Sequence, residues 1–395
     1  MHVVVLGGGY AGLTLTRLLE RDLPEDVDLT LVDRTPDHLI QTELHRVIRR
    51  PELAGEITLP LPALLERATV RVSEVESIDR EGRVVSLADG EVSYDIAAVC
   101  LGARTADYGL EGVDEHGLPL KRLVDATRIR ARVREALEES DGVARLVVGG
   151  AGLSGIQVAG ELAALVEEYR DETGAPNAGT DETPGDPTVT ILEQFDAVAP
   201  AFSEGFQRTV ERTLEANGVD VRTGVTVERA NTDAITLESG ETVPADCFVW
   251  TGGIEGGDAV DGERATVEAD LRLDDRTVAL GDAVRVVDAT GTAVPASAQS
   301  AVREAQTAAT NVTRLVEADR AGEDLESVDL ERFEFDSPGW VVSVGDDAVA
   351  QVGSTVLTGK KAKAIKKSVG VGYRSSIGAY GPLADAASRR VFADD

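Results

Sequence analysis

The chain opens with "HVVVLGGGYAGLTLTRLLE", His2 to Glu20, and this stretch decides the fold. An apolar strand, Val3 to Leu6, runs into Gly7-x-Gly9-x-x-Gly12. Leucines at 13, 15, 18 and 19 then follow a helical pattern. Beyond them "VDLTLVDR" predicts a second strand ending in Asp33, 21 residues after Gly12. Strand, glycines, helix and terminal acid in this order make a dinucleotide-binding unit. Gly7 permits the tight turn, Gly9 lets the backbone approach a pyrophosphate, and Gly12 lets helix and strand pack closely. The helix N-terminus adds N–H donors, and Asp33 can accept from an adenosine ribose.

The unit then recurs. "ARLVVGGAGLSGIQVAGELAALVEEY", from Ala144, repeats the strand, the spacing Gly150-x-Gly152-x-x-Gly155 and the helix, and "TVTILEQ" closes with Glu193. A carboxylate there favours a free 2'-hydroxyl over a 2'-phosphate, so NADH is expected over NADPH. Between helix and strand, Arg170 to Thr188 reads as a polar, solvated loop. A third element, "DDRTVALGDAV", predicts a short strand ending at Gly281-Asp282, followed by Pro295 and a long helix. Asp282 there can bond a ribityl hydroxyl, and the helix N-terminus can support negative charge on a flavin ring. The expected fold class is therefore α/β: two Rossmann-like dinucleotide-binding domains and a small carboxy-terminal α+β region. The first unit spans 1–107 and 240–319, the second 108–239, and the last region 320–395.

Composition narrows the function classes. With 42% hydrophobic and 28% charged residues the chain reads as folded and globular, and its formal net charge of -32 excludes duplex nucleic acid as a partner. Such an acid excess suits concentrated salt, where screening removes most self-repulsion. Cys100 and Cys247, 147 positions apart in apolar runs, read as buried free thiols. The histidines at 2, 38, 45 and 116 show no metal-ligand spacing with them. No apolar run approaches the roughly 20 residues of a membrane helix, and the amino terminus begins a strand rather than a signal peptide, so a cytoplasmic protein is expected.

With these parts in order, the chain resembles the type II NADH dehydrogenases, the single-chain NADH:quinone oxidoreductases of the two-dinucleotide flavoprotein reductases. "HLIQTELHRVI", "YDIAAVCLGARTADYGLEGVDEHGLPLKRLVDATRIRARV", "ADCFVWTGGI", "VALGDA" and "PASAQSAVREAQ" carry the resemblance. It implies that Gly7, Gly9, Gly12, Asp33 and Asp282 hold FAD, with Val75 bonding adenine through its backbone. It places Thr42, Gly102, Ala298 and Gln299 near the flavin, and gives NADH to Gly150, Gly152, Gly155 and Glu193. The implied chemistry is hydride transfer from nicotinamide to flavin and delivery of two electrons to a quinone. Two positions depart from the pattern: Gln157 stands where the family usually carries Glu, and Arg303 replaces the second Gln of the AQ-x-A-x-Q quinone motif. Gln157 is expected to position the rings. Glu161, one turn later, reads either as a proton-relay or positioning group or as a solvated helix-face acid. Cysteine chemistry at the flavin is not expected, because neither cysteine falls where disulfide or sulfide:quinone reductases carry theirs.

Five of the six lysines lie in one run: Lys360, Lys361, Lys363, Lys366 and Lys367. From Ala348 to Ala384 there is no acid against these five and Arg374, so the window carries +6 and the remainder -38. The resemblance implies that this region closes over the flavin and meets membrane and quinone. Lys366 or Lys367 is then expected on the acceptor side, the whole run at an anionic membrane on the inner face of the cell. A solvated lysine helix that offsets nearby acids is the alternative, and the terminal "GPLADAASRRVFADD" is too poor in large apolar residues for an anchor. A homodimer is compatible with this reading. A soluble reductase of a ferredoxin- or rubredoxin-type carrier, and a flavin redox sensor without turnover, also remain open.

Overall fold

The computed structural model describes residues 1–139, 143–173 and 186–379. The elements that build the first sheet come first: β1 (His2–Leu6), α1 (Tyr10–Asp22), β2 (Asp28–Asp33), β3 (Thr69–Val72) and β4 (Ile96–Val99). The chain then crosses to α2 (Leu123–Glu139), β5 (Arg145–Gly149), α3 (Leu153–Thr173), β6 (Thr188–Leu192), α4 (Glu204–Ala216), β7 (Val219–Arg222) and β8 (Cys247–Trp250). It returns through β9 (Thr277–Ala279) and α5 (Ala298–Ala321). Strands β10 (Trp340–Val344), β11 (Asp347–Val352) and β12 (Thr355–Thr358) and helix α6 (Gly359–Ser376) follow.

The first sheet has the order β3-β2-β1-β4-β9 and the second β7-β6-β5-β8, every pairing parallel. Parallel sheets need helices on both faces, which is why central strands read as unbroken apolar runs. Val3 to Leu6 are fully buried, as are Leu146 and Val148. Since β9 arrives after the whole second sheet, the first unit is discontinuous in sequence.

Cys247–Trp250 was expected in the returning half of the first unit. It instead forms the β8 edge of the second sheet, because β5 needs a neighbour on each side and Val148 pairs with Val249 there. Strand structure in the last region starts at Trp340, with Phe333 and Phe335 packing against the first core. Residues 170–173, expected in a loop, complete α3. The rest of that insertion from 174 to 185 lies outside the described residues, as does the 380–395 part of the tail.

Three segments knit the units together. Ile40, Leu44, Val47 and Ile48 of the first unit pack into the second core with Ile129 and Val133 of α2, and Val342, Val344 and Val349 join the same core. In α3, a Cβ at Gly160 would lie 2.3 Å from the Gly345 nitrogen. The antiparallel β10–β11 turn therefore rests directly on helix backbone. The lysine run occupies the first half of α6.

Candidate active site

The two glycine loops have matching geometry. Gly7 (φ +103°) and Gly150 (φ +92°) take a backbone conformation that side chains disfavour, and their N–H groups donate to Val32 O at 2.7 Å and Leu192 O at 2.8 Å. A Cβ at Gly12 would lie 1.8 Å from Gly7 O, and one at Gly155 1.8 Å from Gly150 O. At Gly9 and Gly152 an added Cβ would meet nothing within 4 Å, so the backbone there faces open space. That cradle fits a pyrophosphate at each helix N-terminus.

The terminal acids repeat as well. Asp33 Oδ2 accepts from Gly8 N at 2.6 Å, and Glu193 Oε2 accepts from Ala151 N at 2.7 Å. Each carboxylate thus sets the middle residue of its loop while standing at the strand end where an adenosine ribose would lie. Val75 begins the strand Val75–Asp79, two residues beyond Ser73, whose N–H donates to Asp33 O at 2.8 Å. This places it on the adenosine side of the first crevice.

On the other side lie the elements expected near a flavin ring. Gly102 (φ +68°) follows β4, and the Thr42 hydroxyl is 2.9 Å from that of Tyr10, the residue after Gly9. Ala298 and Gln299 start α5, whose cap is the Ser297 hydroxyl accepting from Ser300 N at 3.1 Å. Gly281 (φ +69°) brings Asp282 to the crevice. Two groups here escaped sequence reasoning. Glu304, buried on α5, accepts from Gly281 N at 2.6 Å, and burial pushes its carboxyl up to about 7. Lys121, the one lysine outside the run, is held by burial below its ordinary pKa, with Asp282 and Arg264 in electrostatic reach. A lone glutamate in an alanine-rich helix and a lone lysine in a linker carry no spacing signal.

The structure separates the residues proposed for chemistry. Gln157 is half-buried on α3. Glu161 is not a solvated acid: it is 1% exposed, and Arg49 Nε donates to its Oε2 at 2.9 Å. Burial raises its pKa, with Arg49 opposing. Arg49 also donates to Glu168 at 3.3 Å and to both oxygens of Asp346, so α3, the one-turn helix Arg46–Arg49 and the β10–β11 turn meet at one guanidinium. Burial alone would lower the Arg49 pKa, but these acids raise it. Lys366 turns inward, donating to the Ser343 hydroxyl and lying 3.7 Å from Glu43, whereas Lys367 is exposed. The two lysines, either of which was expected on the acceptor side, therefore face different ways.

The far half of α6 reaches the first loop. The buried His38 donates from Nδ1 to Gly8 O at 2.9 Å, since a carbonyl can only accept, and its Nε2 lies 2.9 Å from the Tyr373 hydroxyl. Burial lowers His38 to about 4 and raises the Tyr373 hydroxyl, so a neutral imidazole accepts from a protonated phenol. Tyr10 packs against both rings, with centroids 5.4 Å from that of His38 and 4.6 Å from that of Tyr373.

Two parallel sheets, each ending in the same glycine cradle, define an oxidoreductase that binds two dinucleotides. The model of the pyridine nucleotide-disulphide oxidoreductases matches residues 1–305, and the chain belongs to that family. A type II NADH:quinone oxidoreductase of Staphylococcus aureus is 26% identical over 391 residues, covering 93% of each chain. Among solved structures, NDH2 from Plasmodium falciparum in complex with NADH superposes with a TM-score of 0.79 at 13% identity, covering 100% of this chain and 97% of that one. A sulfide:quinone oxidoreductase from Aquifex aeolicus gives 0.75 at 17% identity, covering 95% and 92%. A ferredoxin reductase from Rhodopseudomonas palustris gives 0.67 at 19%, covering 89% and 82%.

Proposed function

We propose that the chain is an FAD-dependent NADH dehydrogenase that delivers electrons to a membrane quinone, a type II NADH:quinone oxidoreductase. The observation that carries this reading is the pair of matching cradles, only the first of which has the Gly281–Asp282 turn beside it. FAD belongs to the first and NADH to the second. The chemistry that a bound flavin would supply is acceptance of a hydride from NADH and release of two electrons to the acceptor. The residues bind and orient. Gly9 and Gly152 admit the pyrophosphates, Asp33 and Glu193 hold the loops at the ribose ends, and Asp282 bonds the ribityl chain. Gln157 and Thr42 border the rings. Glu161 acts through Arg49 as a positioning group for α3.

Thiols of this chain do not enter the reaction. Cys100, just past the end of β4, and Cys247, on β8, are buried and free, and burial raises both, Cys247 to about 12.

Binding to the membrane is peripheral in this reading, and among the described residues no helix is long and apolar enough to cross one. Lys360, Lys361, Ala364, Lys367 and Val371 form an exposed stripe along α6, which suits an anionic surface on the cytoplasmic side. The acid excess of the remainder suits a cell interior rich in salt. An acidic protein carrier fits the same stripe and is the second reading.

The test is anaerobic. In high salt, NADH should bleach the bound flavin faster than NADPH, and a short-chain quinone should restore the colour within the same turnover time. Bleaching that only a ferredoxin-type carrier reverses would replace the quinone, and a flavin untouched by NADH would remove the donor assignment.

A further inference from the structure

Large aromatic side chains left in water are informative, because folding normally buries them. Among the described residues two such rings are exposed, Tyr108 at 64% and Phe195 at 54%, and both border the second glycine loop. They stand on opposite sides of it. Phe195 follows Glu193 at the end of β6, and its N–H donates to Glu193 Oε1 at 3.0 Å while Oε2 holds Ala151 of the loop. Gly224 N in turn donates to Phe195 O at 2.9 Å, so the backbone carrying this ring is fixed from both sides. Tyr108 reaches in from the link between the units. Its hydroxyl donates to Gly252 O at 3.3 Å, in the turn after β8, and Gly252 Cα lies 3.0 Å from where a Cβ of Gly150 would be.

Neither placement is incidental. Tyr108 has φ +56°, a conformation unfavourable for a bulky residue and maintained only where surroundings impose it. Gly253 accommodates it, since a Cβ there would come within 1.9 Å of the tyrosine hydroxyl. In the order β7-β6-β5-β8, a dinucleotide lying across the loop after β5 has its adenosine half toward β6 and its other half toward β8.

We propose that these two rings are the walls that grip the donor dinucleotide, Phe195 stacking on adenine and Tyr108 packing against the nicotinamide half. The proposal rests on the reading of the second loop as the NADH site. It makes the two halves of NADH separable. Phe195→Ala should raise the KM for NADH and the Ki of AMP about tenfold, with reduced nicotinamide mononucleotide, which lacks adenine, affected less than twofold. Tyr108→Ala should raise the KM for NADH and for the mononucleotide about tenfold and leave the Ki of AMP within twofold. Phe195→Tyr and Tyr108→Phe should restore most of each loss, and flavin content should match wild type throughout. Equal effects on AMP and mononucleotide, or no effect on either, would overturn the clamp while wild-type bleaching by NADH kept the donor site intact. Failure of wild-type flavin to bleach with both NADH and the mononucleotide would overturn the donor site and the clamp with it.

Discussion

His38 shows how far a residue's chemistry depends on neighbours that are distant in sequence. Its partners are Gly8, 30 positions away, and Tyr373, 335 positions away, so nothing local in "DHLIQ" announces a buried imidazole. The glycine loops were legible for the opposite reason: Gly7 and Gly12 constrain each other within six residues. Unfolded, His38 takes a proton near pH 6.5; folded, it resists until about 4. Between these values the unfolded chain binds more protons, so this group makes stability fall as pH drops, by at most about 3 kcal/mol. His45, also held below its ordinary pKa by burial, acts in the same direction. His38→Gln should therefore lose less stability than wild type between pH 7 and 4.5, measured as the shift in denaturant midpoint at constant high salt. Parallel shifts would mean that the imidazole is not buried neutral.

Among the elements, α3 carries most of the long-range connections. Its amino end is the second cradle, Gly160 seats the β10–β11 turn, and Glu161 meets Arg49 from 112 positions away. The helix itself was readable from its apolar spacing. Which face carried Glu161 was not, because the guanidinium that justifies its burial comes from another unit. Removing one partner of a buried pair strands the other charge, at about 3–5 kcal/mol. Arg49→Leu should lose that much in urea or guanidinium unfolding, since Glu161 is then uncompensated. Glu161→Leu should lose less, because Arg49 keeps Asp346 and Glu168. The double variant should lose less than the sum, and strict additivity would show that the pair is not coupled. For α6 the sequence showed the charge but not the division of labour, with Lys366 turned inward, Lys367 outward and Tyr373 on the first loop.

At the scale of the whole molecule, a chain of net charge -32 bears one strongly cationic helix. Each exposed lysine contributes roughly 1 kcal/mol near an anionic membrane, and less as salt rises. Replacing Lys360, Lys361 and Lys367 by Gln should abolish sedimentation with phosphatidylglycerol vesicles at low salt while leaving flavin content and reduction by NADH unchanged. Unaltered sedimentation would remove the membrane assignment. The interrupted first sheet has a further bearing, on the order in which the molecule is made. As the ribosome delivers the chain, β1 to β4 emerge early and Ile96–Val99 can pair with β1, but its neighbour on the other edge appears only with Thr277–Ala279. The second sheet is contiguous from Arg145 to Trp250 and can close while the first still shows an unpaired apolar edge. The nascent protein therefore carries that edge without its second neighbour through the synthesis of nearly two hundred residues, a span in which an unpaired apolar strand edge is open to pairing with other chains.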